Sequence, residues 1–102
     1  MRTMIAVLAL SVVSLPVLGQ DAEALLKKHN CTVCHSIDKP LVGPPYKAVA
    51  QKYSGQKDAA PRLFEKVKKG GSGVWGQIPM PPNPQVPDGD IHAMLKYILA
   101  IK

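Results

Sequence analysis

The chain has 102 residues, room for one modest domain, with 13 Lys/Arg against 7 Asp/Glu and a formal charge of +6. The basic residues are dispersed rather than gathered into one arm, which argues against nucleic acid as a partner. Its two cysteines stand three positions apart, so a disulfide between them would close too small a loop to staple distant segments.

The chain opens MRTMIAVLALSVVSLPVLGQDAEAL, with Arg2, an apolar run from Met4 to Leu18, and then Gly19. This is the layout of a secretory signal peptide, residues 1–19, cut after Gly19. Pro16 and the shortness of the run argue against a membrane span, which needs roughly 20 apolar residues. The expectation is therefore export to the periplasm, with no stable membrane insertion. An uncut leader would instead make the protein a tethered module. Residues 20–102 then form a single domain, short enough to need a staple beyond its own core.

Four helical segments are predicted, and no strand. The first follows Asp21 as N-cap, with Ala22, Leu25, Leu26 and His29 at helical spacing. A turn at GPP, residues 43–45, precedes a second, short helix over about Tyr46–Tyr53. The third starts at Asp58, tolerates Pro61 in its first turn, and presents Leu63, Phe64 and Val67. Lys66, Lys68 and Lys69 suit its C-terminal dipole, and Gly70 suits its C-cap. The fourth starts near Asp88 and shows Ile91, Leu95 and Ile98, widened by Met94 and Ile101.

Between the last two helices lies GGSGVWGQIPMPPNPQVPDG, residues 70–89. A loop this long in so small a domain is usually functional or disordered. Pro79, Pro81, Pro82, Pro84 and Pro87 fix five φ angles, and Trp75, Ile78 and Met80 are apolar residues worth burying. The segment reads as a stiff strap that holds a methionine in place.

The chemistry is concentrated in CTVCH, residues 31–35. C-x-x-C-H is the attachment sequence for c-type haem. Thiols about a helical turn apart, Cys31 and Cys34, can each add to one porphyrin vinyl group. The adjacent His35 is then directed at the iron as an axial ligand. Covalent haem would also supply the missing staple. A thioredoxin-like site would need a βαβ context. A zinc site drawn from Cys31, Cys34, His29 and His92 fits no familiar spacing. A plain disulfide leaves His35 unexplained.

For the second axial ligand the candidates are His29, His92, Met80 and Met94. Met94 reads as core filler on a helix, His29 as a solvated helix-end residue, and His92 as exposed. Met80 sits on the proline-stiffened strap, and a thioether paired with histidine raises the iron potential. Met80 is the predicted ligand.

These blocks, CTVCHSID (31–38), VGPPYKAVAQKYSGQ (42–56), KKGGSGVWGQIPMPPN (68–83) and LKYILAIK (95–102), resemble the small monohaem class I cytochromes c of bacteria. The resemblance covers nearly all of residues 20–102 in one register. It implies an all-α fold of about four helices wrapped around one covalent haem c and its iron. It implies a soluble, monomeric one-electron carrier rather than an enzyme, cycling between Fe(II) and Fe(III). A nitrite reductase or terminal oxidase would be its acceptor, and a quinol-oxidising complex or another cytochrome its donor. By the same resemblance, the Pro44 carbonyl should accept from His35 Nδ1, the Asn83 amide should bond the Met80 sulfur region, and Trp75 with Lys66 should satisfy a haem propionate. Position 29 is His where relatives often carry Lys, Lys66 stands where close relatives carry Arg, and an extra residue falls around Pro84–Pro87. The rival reading is a haem protein with a labile Met80, acting as a ligand sensor or peroxidase.

Overall fold

The computed structural model describes residues 6–11 and 18–102. Most of the expected leader, residues 1–5 and 12–17, and with it the expected cleavage, lies outside the described residues. Residues 6–11 have no regular structure and are exposed. Among the described residues no helix is long and apolar enough to cross a membrane.

Four α-helices follow in chain order: α1 (Leu18–Lys28), α2 (Tyr46–Lys52), α3 (Ala59–Lys69) and α4 (Asp88–Leu99), with a single 3₁₀ turn at Cys31–Val33 after α1. No strand occurs among the described residues; Gly71 and Met80 form an isolated antiparallel bridge. The predicted helices are all present, with shifted ends. Helix α1 begins at Leu18, so Asp21 lies in its first turn rather than at its N-cap. An acid there still faces the positive end of the helix dipole. Tyr53 caps α2 instead of ending it. Asp58 takes the N-cap position of α3 without a side-chain bond, and Gly70 ends that helix at φ 71°, a conformation glycine adopts without steric cost.

Helix α4 packs on each of the other three. Its apolar face, Ile91, Met94, Leu95 and Ile98, meets Leu26 of α1, Tyr46 and Val49 of α2, Ala59 of α3, and Tyr53 and Val86 from the connections. Ile91 is 0% exposed, and burying such a side chain contributes about 1.5–3 kcal/mol. This core secures the helices along one side only. On the other side the cysteine turn, the 35–45 loop and the strap enclose an apolar cavity of about 540 Å³.

The strap departs from the reading of its apolar residues. Trp75 is 46% exposed and Ile78 69% exposed, where burial was expected. Both line the cavity, so their apolar surface is turned to that space and not to the helical core.

Candidate haem-binding site

The site begins where α1 stops. Asn30 takes a left-handed conformation, φ 61°, which asparagine tolerates better than most residues. The chain then tightens into the 3₁₀ turn, with Cys34 N–H donating to Cys31 O at 3.3 Å and His35 N–H to the same oxygen at 3.0 Å. Cys31 and Cys34 are thereby held on one short turn. The two are not joined by a disulfide; both are half-buried, and both line the cavity.

Burial pushes the Cys31 thiol above its ordinary value. Among the described residues no three His, Cys, Asp or Glu side chains gather as a metal cluster.

His35 is held from three sides. Its Nδ1–H donates to the Pro44 carbonyl at 2.8 Å, the contact anticipated from the resemblance, which leaves Nε2 as the nitrogen free to bind a metal. The Tyr46 ring stacks on the imidazole with centroids 5.3 Å apart and planes 24° from parallel. Gly43 backs the ring so closely that a Cβ would overlap the imidazole and stand 2.8 Å from Nδ1. The loop itself is stitched down by Gly43 N–H to Cys34 O at 2.7 Å, Tyr46 N–H to Ser36 O at 2.8 Å and Lys47 N–H to Ile37 O at 2.9 Å. Tyr46 Oη is buried with no hydrogen-bond partner, so this tyrosine serves the site through its ring.

Met80 is held by its backbone. Met80 N–H donates to Gly71 O at 2.8 Å, and Gly71 N–H returns the bond to Met80 O at 3.0 Å. Glycine is required at position 70, where φ is positive and a Cβ would collide with the Met80 carbonyl. Three residues on, Asn83 N–H donates to Val67 O at 3.0 Å. The side chain of Met80 is partly buried and lines the cavity. Met94 also borders the cavity, but it is packed within the helical core on α4 and not carried on the strap.

Asn83 holds the far end of the strap. Its Nδ2 donates to Val67 O at 3.3 Å and to Pro81 O at 3.0 Å. The Val67 carbonyl is available because the last carbonyls of α3 have no partner within the helix. Asn83 lines the same cavity as Met80. Trp75 and Lys66 both line the cavity. Lys52 Nζ lies 5.5 Å from the centre of the Trp75 ring, and the Lys66 amine lies over Gly71.

Sequence reasoning also misjudged His29. Its side chain is 12% exposed, with Nε2 2.9 Å from Asp90 Oδ2, so it joins α1 to α4 rather than sitting in solvent. It missed Gly43 as the backing of the imidazole, although the glycine stands directly before the expected acceptor Pro44. It missed Lys68 as well, whose amine reaches across to the strap.

The residues present fit a haem. Both thiols, the imidazole of His35 and the thioether of the strap residue Met80 line one largely apolar cavity, of a size suited to a large flat ligand. The fit agrees with comparison to known proteins. Residues 20–102 match the family described as Cytochrome c. The chain is 53% identical over 77 residues to cytochrome c-551 of Allochromatium vinosum, covering 76% of this chain and 82% of that protein. It is 45% identical over 95 residues to cytochrome c-552 of Hydrogenobacter thermophilus, covering 93% and 96%. The crystal structure of wild-type Nitrosomonas europaea cytochrome c552 superimposes with a TM-score of 0.75 at 50% identity, covering 78% of this chain and 99% of that one.

Proposed function

Because the chain belongs to the cytochrome c family, we propose that it shuttles single electrons in the periplasm to a nitrite reductase or a terminal oxidase. It is a small monohaem class I cytochrome, an electron carrier rather than an enzyme, with one covalent haem c. The haem supplies an iron that alternates between Fe(II) and Fe(III); everything else is the work of the chain. Cys31 and Cys34 would hold the haem through thioethers, and His35 and Met80 would ligate its iron. Residues 1–19 direct export and are removed.

The observation that carries this reading is the convergence on one apolar cavity of both thiols, His35 and the strap methionine. The hydrogen bond from Nδ1 to the Pro44 carbonyl makes Nε2 the more electron-rich nitrogen and fixes its direction. The paired Gly71–Met80 bonds keep the thioether from drifting as the iron changes charge. A soft sulfur opposite an imidazole favours Fe(II) and suits a carrier. With His35 and Met80 both held as ligands, the iron would transfer electrons without binding a peroxide or a diatomic ligand.

Docking has support from the cavity mouth. Leu41, Val42, Val74, Trp75 and Ile78 line it and stay exposed, an apolar rim against which a partner can exclude water. Lys27, Lys28 and Lys39 are exposed and can steer an acidic partner at long range.

The test is made on purified holoprotein. Its mass should exceed that of residues 20–102 by one haem, the haem should survive acid acetone, and the titration should be a reversible one-electron wave. Mixing with periplasmic nitrite reductases and terminal oxidases should give rapid reoxidation by at least one of them. Extractable haem, or two free thiols in the native protein, would refute the attachment. Failure to reoxidise with every such partner would refute the pathway.

A further inference from the structure

The last turn of α3 ties down the strap at three successive points. Gly71, just past the helix, pairs with Met80. The Val67 carbonyl receives the backbone and side-chain N–H groups of Asn83 at 3.0 and 3.3 Å. Lys68 makes the third tie, and it is the one made by an α3 side chain. Its amine donates to Val86 O at 2.5 Å and to Pro84 O at 3.4 Å. It also lies 2.9 Å from Asp88 Oδ1, the first residue of α4. An ammonium has three donor hydrogens, and here it faces three acceptors.

This is not an exposed lysine pairing by chance. The Lys68 side chain is 22% exposed, while its neighbour Lys69 is 79% exposed and pairs with Glu65 one turn back. Charge-assisted hydrogen bonds are about twice as strong as neutral ones, and the Lys68 bond to Val86 O is part-buried, whereas exposed pairs such as Lys69–Glu65 contribute little. The carbonyls that Lys68 gathers belong to residues 84 and 86, within the proline-rich stretch that leads from Asn83 to α4. Pro84 and Pro87 have no N–H to tie this stretch down through the backbone. The lysine supplies that tie from outside.

We propose that Lys68 is a positioning residue for the Met80 thioether: by clamping residues 84–88 to α3 it closes the downstream arm of the strap and slows release of the sulfur from the iron. This rests on the reading of Met80 as an axial ligand. A strap held only at Gly71 and Val67 can swing about its C-terminal arm. Held at Lys68 too, both of its ends are fixed to helices, and the segment carrying Met80 cannot lift without breaking the part-buried bond from the Lys68 ammonium to Val86 O. The same clamp joins α3 to the start of α4.

The test is cyanide binding to the ferric holoprotein, since cyanide enters only when the sulfur leaves. Lys68→Met keeps the aliphatic stem and removes the donors. Its cyanide association rate should rise about tenfold or more, the size of losing one charged hydrogen bond in the closed state. Its resting sulfur–iron charge-transfer band should remain. Lys69→Met should stay within about twofold of the unaltered protein. Amide exchange at Met80 and Gly71 should quicken in Lys68→Met while exchange at the core residue Ile98 does not. If Lys68→Met fails to accumulate, Asp88→Asn carries the test, with a smaller rise in cyanide rate expected. A rate within about twofold of the unaltered protein would overturn the proposal, as would equal quickening at Ile98, which marks a general loss of stability. Met80→Ala separates the two readings: a charge-transfer band that persists in it would refute the ligand assignment itself, whatever Lys68 does.

Discussion

His29 Nε2 and Asp90 Oδ2 lie 2.9 Å apart and join the C-terminal end of α1 to the first turn of α4. The two residues are 61 positions apart. The His29 carbonyl lies 3.8 Å from Cys31 Sγ, so this helix junction adjoins the attachment turn. A second tie between the same helices, Tyr97 Oη–H to Glu23 Oε1 at 2.7 Å, lies nearer solvent. Together they hold α1 on α4 beside the point where haem would be anchored.

Removing the first tie should destabilise the fold measurably. His29→Ala and Asp90→Asn should each lower unfolding free energy by about 1 kcal/mol. A double-mutant cycle in denaturant checks whether the two changes couple. Additive losses would show that the contact contributes nothing beyond its separate parts.

The second tie predicts alkaline behaviour. The hydrogen bond to Glu23 and then burial push the Tyr97 phenol above its ordinary value of 10.0. A group raised on folding stabilises the protein fully below the unfolded value, and loses that contribution as pH rises through the folded one. Denaturation midpoints should therefore fall above about pH 10. In Tyr97→Phe the midpoint should be lower at neutral pH and its alkaline decline shallower. An unchanged alkaline slope would assign the decline to other groups.

Two glycines should respond oppositely to alanine. At Gly43 the new methyl group would overlap an imidazole that the Pro44 carbonyl and the Tyr46 ring hold in place. Gly43→Ala should cost about 1–3 kcal/mol as an overpacked site, and should alter the haem spectrum by tilting His35. At Gly89, inside α4, a Cβ meets nothing within 4 Å. Gly89→Ala should be neutral or stabilising by about 0.4–1 kcal/mol, with no spectral change. Thermal melts with visible spectra recorded alongside would check both.

The two methionines separate ligand from core. Met80→Ala should abolish the sulfur–iron charge-transfer band, lower the reduction potential, and admit cyanide, carbon monoxide or peroxide. Met94→Leu, a nearly volume-conserving change at a buried position, should cost less than about 1.5 kcal/mol and leave the spectrum alone. If Met94→Leu is the variant that loses the band, the ligand assignment is wrong.

What the amino-acid order determines by itself is local chemistry and local geometry. Cys31, Cys34 and His35 are bound to one short turn by covalent spacing, so their relation needs no knowledge of the rest of the chain. The helical periodicity of α3 and α4 and the five prolines of the strap act through φ, ψ and side-chain direction over a few residues, and they read correctly. The end of α1 nearest the expected leader does not, since the helix continues past the residue that looked like its cap. Only the tertiary structure decided which distant groups meet. Lys68 reaches Val86 and Asp88, Asn83 reaches the Val67 carbonyl, and His29 leaves solvent for Asp90. It also decided that Trp75 and Ile78 face the cavity and not the helical core. Each of those outcomes depends on which unpaired carbonyl, carboxylate or apolar surface chain closure brings within reach, and residue type alone carries no record of that.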